Sequence, residues 1–250
     1  FQAEDGIRDA RSSLVGSEMC IRDRGDGPVF EVQFTGSAWL ASEDGLLVTN
    51  RHVAIPWSEN EQVGPIFERG FEPRLRLLGY LPDRAEPVEL SFVAASAEVD
   101  LAVVRAPEME GREPLRLAEE NPGPGQEILV LGYPAGIDAL LARSGAVFVD
   151  SLMQRRPDFW TVVQELSDAG FIRPLATRGI VGQVTPSTVA YDAETTRGGS
   201  GGPVLSLDGE VVAVTFAILA EFGGSNLGVP TEEVRRLLAE AAALTDRDEP

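Results

Sequence analysis

From Pro28 onward, apolar and polar positions mostly follow short, β-prone runs broken by turn residues. Residues 29–34 alternate with period two, which predicts a strand that Gly36 ends. Residues 37–41 and 46–49 flank Ser42-Glu43-Asp44-Gly45, whose Asp-Gly pair is a hairpin signal. Residues 50–56 leave room for one helical turn, and residues 58–71 are polar and irregular. Residues 74–81 and 88–94 read as strands joined by a Pro-Asp turn, and residues 100–104 as a buried strand behind an acid. The stretch 107–126 is rich in Pro, Gly and Glu and predicts the connection between two halves. Residues 127–132 form an apolar strand. Residues 137–170 then lose the β rhythm. Phe159, Val162, Val163 and Leu166 share one helical face, with Asp158 or Pro157 near its start, so one or two short helices are expected there. Strands resume at 179–184, 188–190, 203–207, 211–219 and 226–229. Residues 231–243 form an amphipathic helix with Thr231 as N-cap and Val234, Leu237, Leu238 and Ala241 on its apolar face. Short strands without alternating helices predict an all-β fold, a sandwich or barrel in two similar halves.

Composition narrows the chemistry. The chain has 250 residues, a net charge of −19, and only arginine among its 21 basic residues. That balance argues against a nucleic-acid partner, since a phosphate backbone needs a basic face. No run reaches the ~18–20 apolar residues of a membrane span. The single cysteine, Cys20, lies near the N-terminus. The remainder therefore has no disulfide framework, no cysteine-based zinc site and no thiol nucleophile. No metal and no cofactor is expected.

The chemistry concentrates at Arg197-Gly198-Gly199-Ser200-Gly201-Gly202-Pro203. A serine between glycine pairs suits an exposed nucleophile with main-chain N–H groups aimed at a substrate oxygen. It also suits a plain glycine-rich surface turn. A serine hydroxyl needs a base, and the chain holds one histidine, His52. A carboxylate should orient that histidine. Asp100 heads an apolar strand and is the best placed; Asp83 lies in a turn and Glu98 in a polar loop. Asp100 could equally be a strand-capping acid.

The order His52, Asp100, Ser200 resembles that of the trypsin-like (chymotrypsin-fold) serine proteases, above all their cysteine-free bacterial HtrA/Do-type branch. The matching motifs are Gly36-Ser37-Ala38, Leu47-Val48-Thr49-Asn50-Arg51-His52-Val53, Asp100-Leu101-Ala102-Val103-Val104, Val130-Leu131-Gly132-Tyr133-Pro134, Asp192-Ala193, Gly198-Gly199-Ser200-Gly201-Gly202-Pro203 and Gly228-Val229-Pro230. The resemblance implies two perpendicular six-stranded antiparallel β-barrels, with a C-terminal helix and a partly helical insertion. It implies a serine endopeptidase with His52, Asp100 and Ser200 as triad and an oxyanion hole from the N–H groups of Gly198 and Ser200. It implies that the backbone of Thr215, Phe216 and Ala217 pairs with a polypeptide substrate. It places the walls of the specificity pocket at Glu194, Thr195, Thr196 and again at Thr215, Phe216 and Ala217. Family habit also suggests export to the periplasm or beyond. The oligomeric state is left open.

The chain departs from the family in places. Gly199 stands where the family has Asp or Asn, and Arg197 replaces a common proline. Glu194 holds a position that often floors the pocket; it either favours a basic residue before the scissile bond or turns to Arg197 as a surface pair. The serine loop also satisfies the G-x-S-x-G pattern of α/β-hydrolases. That reading needs a helix after the serine and a histidine downstream, and neither is present. A non-catalytic binding module on the same fold is the remaining alternative. Residues 1–24 show no clear period and resemble translated sequencing-adapter DNA, so they are expected to be an artefactual leader, disordered and outside the fold, with a genuine disordered leader as the alternative. The expected organisation is a protease domain over 25–245, with barrels at about 27–112 and 124–230, a helix at 231–244 and a tail at 246–250.

Overall fold

The computed structural model describes residues 12–22, 29–57, 72–219 and 225–248. Their strands close into two six-stranded antiparallel barrels. The first contains β1 (Ser12–Arg22), β2 (Val29–Leu40), β3 (Leu46–Thr49), β4 (Glu72–Tyr80), β5 (Val88–Ala95) and β6 (Ala102–Arg105), in the order β1-β2-β3-β6-β5-β4. The second contains β7 (Glu127–Gly132), β8 (Leu175–Val184), β9 (Val189–Tyr191), β10 (Pro203–Ser206), β11 (Val211–Leu219) and β12 (Ser225–Pro230), in the order β10-β11-β12-β9-β8-β7. Closure leaves no long unpaired edge in either sheet. A single helical turn, α1 (Arg51–Ala54), follows β3. Three helices, α2 (Gly136–Ser144), α3 (Ala146–Met153) and α4 (Phe159–Asp168), lie between β7 and β8. The chain ends in α5 (Thr231–Asp248).

Each barrel has its own apolar filling. Leu40, Leu47, Leu77, Val88 and Val104 fill the first, and Ile128, Val130, Val181, Val204 and Val212 the second. A further cluster joins Trp39, Val48, Leu101 and Val103 of the first barrel to Leu131, Leu205, Val214 and Val229 of the second. Val234, Leu237 and Ala241 of α5 enter the same cluster. The apolar stripe of that helix thus seals the joint between the barrels, and burial of this shared core fixes how they sit together. The cleft that carries the candidate site lies along this joint.

The structure revises several expectations. Gly36 does not end a strand; β2 runs through it. A Cβ at Gly36 would come within 2.6 Å of both Val53 methyl carbons, so the glycine lets α1 pack against β2. The insertion has three helices rather than one or two. Asp158 caps α4, accepting a 2.7 Å hydrogen bond from the Thr161 N–H, and bonding from Thr161 holds its carboxyl below the usual range. The insertion buries Leu140, Leu152, Val163 and Leu166 with Leu14, Leu78, Tyr80 and Tyr133. It therefore packs across the first barrel although it leaves from the second. The terminal helix continues to Asp248, into the expected tail. Residues 58–71 lie outside the described residues.

The largest correction concerns the leader. Ser12–Arg22 is not disordered but is β1, paired along its length with β2 and from Leu14 to Arg22 with β4. Without it, β2 and β4 would each present an open edge. Closing the first barrel satisfies both ladders and buries Leu14 and Val15. Residues 1–11, 23 and 24 lie outside the described residues.

Candidate active site

His52 sits in α1 immediately after β3, and Asp100 lies two residues before β6. Because β3 and β6 are neighbours, pairing Thr49 with Ala102, these two positions meet at one end of the first barrel. His52 Nδ1 is 2.6 Å from Asp100 Oδ2, and the His52 backbone N–H donates to Asp100 Oδ1 at 3.0 Å. Both carboxylate oxygens are thus engaged by one residue, which fixes the imidazole's orientation. The side chains are 31% and 12% exposed, so the acid is more shielded than the ring. The buried Asn50 side chain donates to the Asp100 carbonyl at 2.6 Å, and Arg51 to the Ser96 carbonyl at 2.7 Å. These bonds hold α1 and the Asp100 segment as one unit. The tautomer that places its proton on Nδ1, toward the carboxylate, makes Nε2 the accepting nitrogen.

Ser200 lies in the loop between β9 and β10 of the second barrel. This loop is anchored on three sides. From the first barrel, the Ser37 N–H donates to the Ser200 carbonyl and the Ser37 hydroxyl to the Gly198 carbonyl, both at 2.8 Å. The same hydroxyl accepts from the Tyr133 N–H at 3.0 Å, and the Thr49 hydroxyl donates to the Ser37 carbonyl at 2.8 Å. From the start of the insertion, the Ala135 N–H donates to the Arg197 carbonyl at 2.5 Å. From β11, Thr215 exchanges main-chain bonds with Gly201 and Gly202 at 2.9 and 3.0 Å. Gly201 has φ +85°, and a Cβ there would collide with the Ser37 carbonyl and the Thr49 hydroxyl, so only glycine lets the two barrels approach this closely.

Within the loop, the Gly199 N–H is used in a turn, donating to the Thr196 carbonyl at 2.9 Å. The N–H groups of Gly198 and Ser200 have no partner among the described residues. Buried N–H groups are normally paired, so these two donors, one on either side of Gly199, are candidates to receive an anionic oxygen. A Cβ at Gly199 would strike the Thr195 hydroxyl, which accounts for glycine where Asp or Asn was expected.

Beside Ser200 lies a cavity of about 230 Å³ lined by Thr195, Thr196, Arg197, Ser200, Thr215, Phe216 and Ala217. Five of the six residues expected to form the specificity site are here. Glu194 is not; it is exposed, and its carbonyl accepts from the Thr177 hydroxyl at 2.7 Å. Phe216 occupies a bulge where β11 pairing steps from Thr215 to Ala217, an irregularity that re-aims the side chain at the cavity rim. The expected role of Thr215 as a substrate-pairing backbone is narrowed, because its main-chain groups already serve Gly201 and Gly202. Pairing of β11 with β10 ends at Val214, so Phe216 and Ala217 lie beyond it. Sequence reading missed the bracing role of Ser37 and the place of Arg197 in the lining. The Gly-Ser pair at the head of a β-run was the one available signal for Ser37. Among the described residues no group of three or more His, Cys, Asp or Glu is placed to hold a metal, and no helix is long and apolar enough to cross a membrane.

Two barrels, a histidine–aspartate pair on one and a glycine-framed serine on the other define a serine-protease class of fold, and comparison with known proteins agrees. The model of the trypsin-like peptidase domain matches residues 36–214, so the chain belongs to that family. Its relatives include proteins named HTRA4, HTRA1 and DegP-like. The chain is 25% identical over 211 residues to human serine protease HTRA4, covering 83% of this chain and 35% of that protein. It is 24% identical over 223 residues to serine protease Rv3671c of Mycobacterium tuberculosis, covering 89% and 46%. It is 26% identical over 195 residues to a protein of Bartonella henselae named "probable periplasmic serine endoprotease DegP-like", covering 78% and 30%. The chain thus spans less than half the length of these relatives. In fold it resembles the serine endoprotease of Yersinia pestis (TM-score 0.61, 16% identity, 96% of this chain and 66% of that one). It also resembles the active form of the M. tuberculosis Rv3671c protease (TM-score 0.58, 21% identity, 92% and 81%).

Proposed function

We propose that the protein is a serine endopeptidase acting through Ser200, His52 and Asp100, without metal or cofactor. His52 Nε2 takes the Ser200 proton as the hydroxyl oxygen attacks a peptide carbonyl. Asp100 keeps the proton on Nδ1 and steadies the imidazolium. The N–H groups of Gly198 and Ser200 stabilise the oxyanion, and His52 then protonates the leaving amine. Water, activated by the same histidine, hydrolyses the acyl-enzyme. The substrate is an extended polypeptide that adds to β11 at Phe216 and Ala217. The observation that carries the reading is the unpartnered N–H pair of Gly198 and Ser200. A loop kept only for packing would turn those donors inward, as it does that of Gly199. Export to the periplasm or beyond is part of the proposal and rests on the name of the B. henselae relative.

Labelling with a fluorophosphonate probe tests the chemistry. Wild-type protein labels, and Ser200→Ala does not. Failure to label across a range of pH supports the non-catalytic binding module instead. Labelling weakens on acidification, because protonated His52 cannot accept the serine proton.

A further inference from the structure

The cavity beside Ser200 has an unusual charge for this molecule. The chain carries −19 overall, yet among the described residues no carboxylate lines the cavity and Arg197 is the one charged residue in its lining. Elsewhere in the structure, Arg105, Arg112, Arg155 and Arg178 each face a carboxylate, namely Glu110, Asp83, Glu165 and Glu127. The Arg197 guanidinium has no such partner among the described residues, and neither has the Thr195 hydroxyl. Arg197 is held at the backbone by Ala135, so its position at the cavity does not depend on its own side-chain bonds. Arg197 and Glu194 are both exposed, but of the two only Arg197 belongs to the cavity lining. At 230 Å³ the cavity falls below the ~300–1,000 Å³ of pockets for drug-sized ligands, a size suited to one side chain. Phe216 and Ala217 supply apolar wall for the methylenes of that side chain.

Building on the proposed peptidase reading, we propose that Arg197 makes this pocket select an acidic residue, glutamate above all, immediately before the scissile bond. The planar guanidinium can take a carboxylate through two parallel N–H···O bonds, and the Thr195 hydroxyl adds a third donor. A basic side chain at the same place would meet a like charge, with no carboxylate among the described lining residues to offset it.

The test uses the full chain and four fluorogenic peptides that differ only in the residue before the cleaved bond: Glu, Gln, Val or Arg. The Glu peptide is cleaved with a kcat/KM about tenfold above its isosteric Gln counterpart, the worth of a charge-assisted contact in a part-exposed site. The advantage shrinks as salt rises. Arg197→Gln brings the Glu-to-Gln ratio to about one, and Arg197→Lys retains part of it. A loop merely loosened by substitution would slow all four peptides alike and leave the ratio standing. Equal cleavage of Glu and Gln peptides, a ratio that survives Arg197→Gln, or preference for the Arg peptide overturns the proposal. Fluorophosphonate labelling in parallel separates this outcome from failure of the peptidase reading. Labelled protein without acidic preference sinks only the role of Arg197, whereas unlabelled protein sinks both.

Discussion

The two barrels hold their parts of the site in different ways. In the first, His52 and Asp100 are locked by side-chain bonds within one barrel: Nδ1 to Oδ2, the His52 N–H to Oδ1, and Asn50 to the Asp100 carbonyl. Adjacent strands deliver them, so local folding is enough to assemble the pair. In the second, Ser200 is held by its backbone, and much of what holds it belongs to the other barrel. Ser37 bonds to the Ser200 and Gly198 carbonyls. The His52–Asp100 pair is therefore held within one barrel, and the Ser200 loop is held partly by the other. Catalytic geometry depends on the joint more than on either barrel alone.

Substitutions can separate the two arrangements. The largest effect is expected from Ser200→Ala, which removes the nucleophile and cuts turnover by about 10⁶-fold, as loss of a triad serine does in a model protease. Peptide cleavage by purified protein checks it, with an unchanged melting temperature showing that only chemistry was lost. Asp100→Asn keeps the shape but favours the wrong imidazole tautomer, at a cost of about 10⁴-fold. Because the carboxamide keeps the size of the carboxylate, the melting temperature should change little.

Gly201→Ala probes the joint. A methyl group must enter the space of the Ser37 carbonyl at a positive φ, so a loss of about 4 kcal/mol is expected, at the upper end for single substitutions. Urea unfolding measures it; a loss under ~1 kcal/mol would show that the barrels are not in contact there. Ser37→Ala strips the same joint more gently. It leaves the Gly198 carbonyl and the Tyr133 N–H without a partner, costing about 1–3 kcal/mol and lowering kcat with little change in KM. If activity survives at full strength, the loop is fixed from its own barrel and the contrast drawn above fails.

The smallest effect is expected in β1. The Ser13 hydroxyl is buried with no hydrogen-bond partner among the described residues. Ser13→Ala should stabilise the first barrel by about 1 kcal/mol. A destabilisation would mean that the hydroxyl has a partner, or that residues 12–22 do not occupy this strand.

Much of the fold was legible because period-two alternation and turn residues are local signals. Residues 46–49, 127–132 and 211–219 could be placed to the residue. The signals failed where tertiary contacts overrode them. Gly36 reads as a strand end, but it sits inside β2 because Val53 presses on it. Residues 12–22 carry no clear period, and their strand is defined by the two ladders they complete. The insertion's helices could be sensed from Phe159, Val162, Val163 and Leu166, but nothing along the chain told that they pack on Leu14 and Leu78 of the other barrel.

The sequence by itself determined the cast and its order: one histidine, an aspartate heading an apolar strand, and a serine framed by glycines. Each is set by residue type and near neighbours, which are visible along the chain. Only the tertiary structure decided which groups are free. Among the described residues the N–H groups of Gly198 and Ser200 have no partner while that of Gly199 is used, Thr215 gives its backbone to the serine loop, and Arg197 rather than Glu194 lines the cavity. Whether a donor or a charge is already satisfied depends on partners distant in sequence, brought close only when the barrels join.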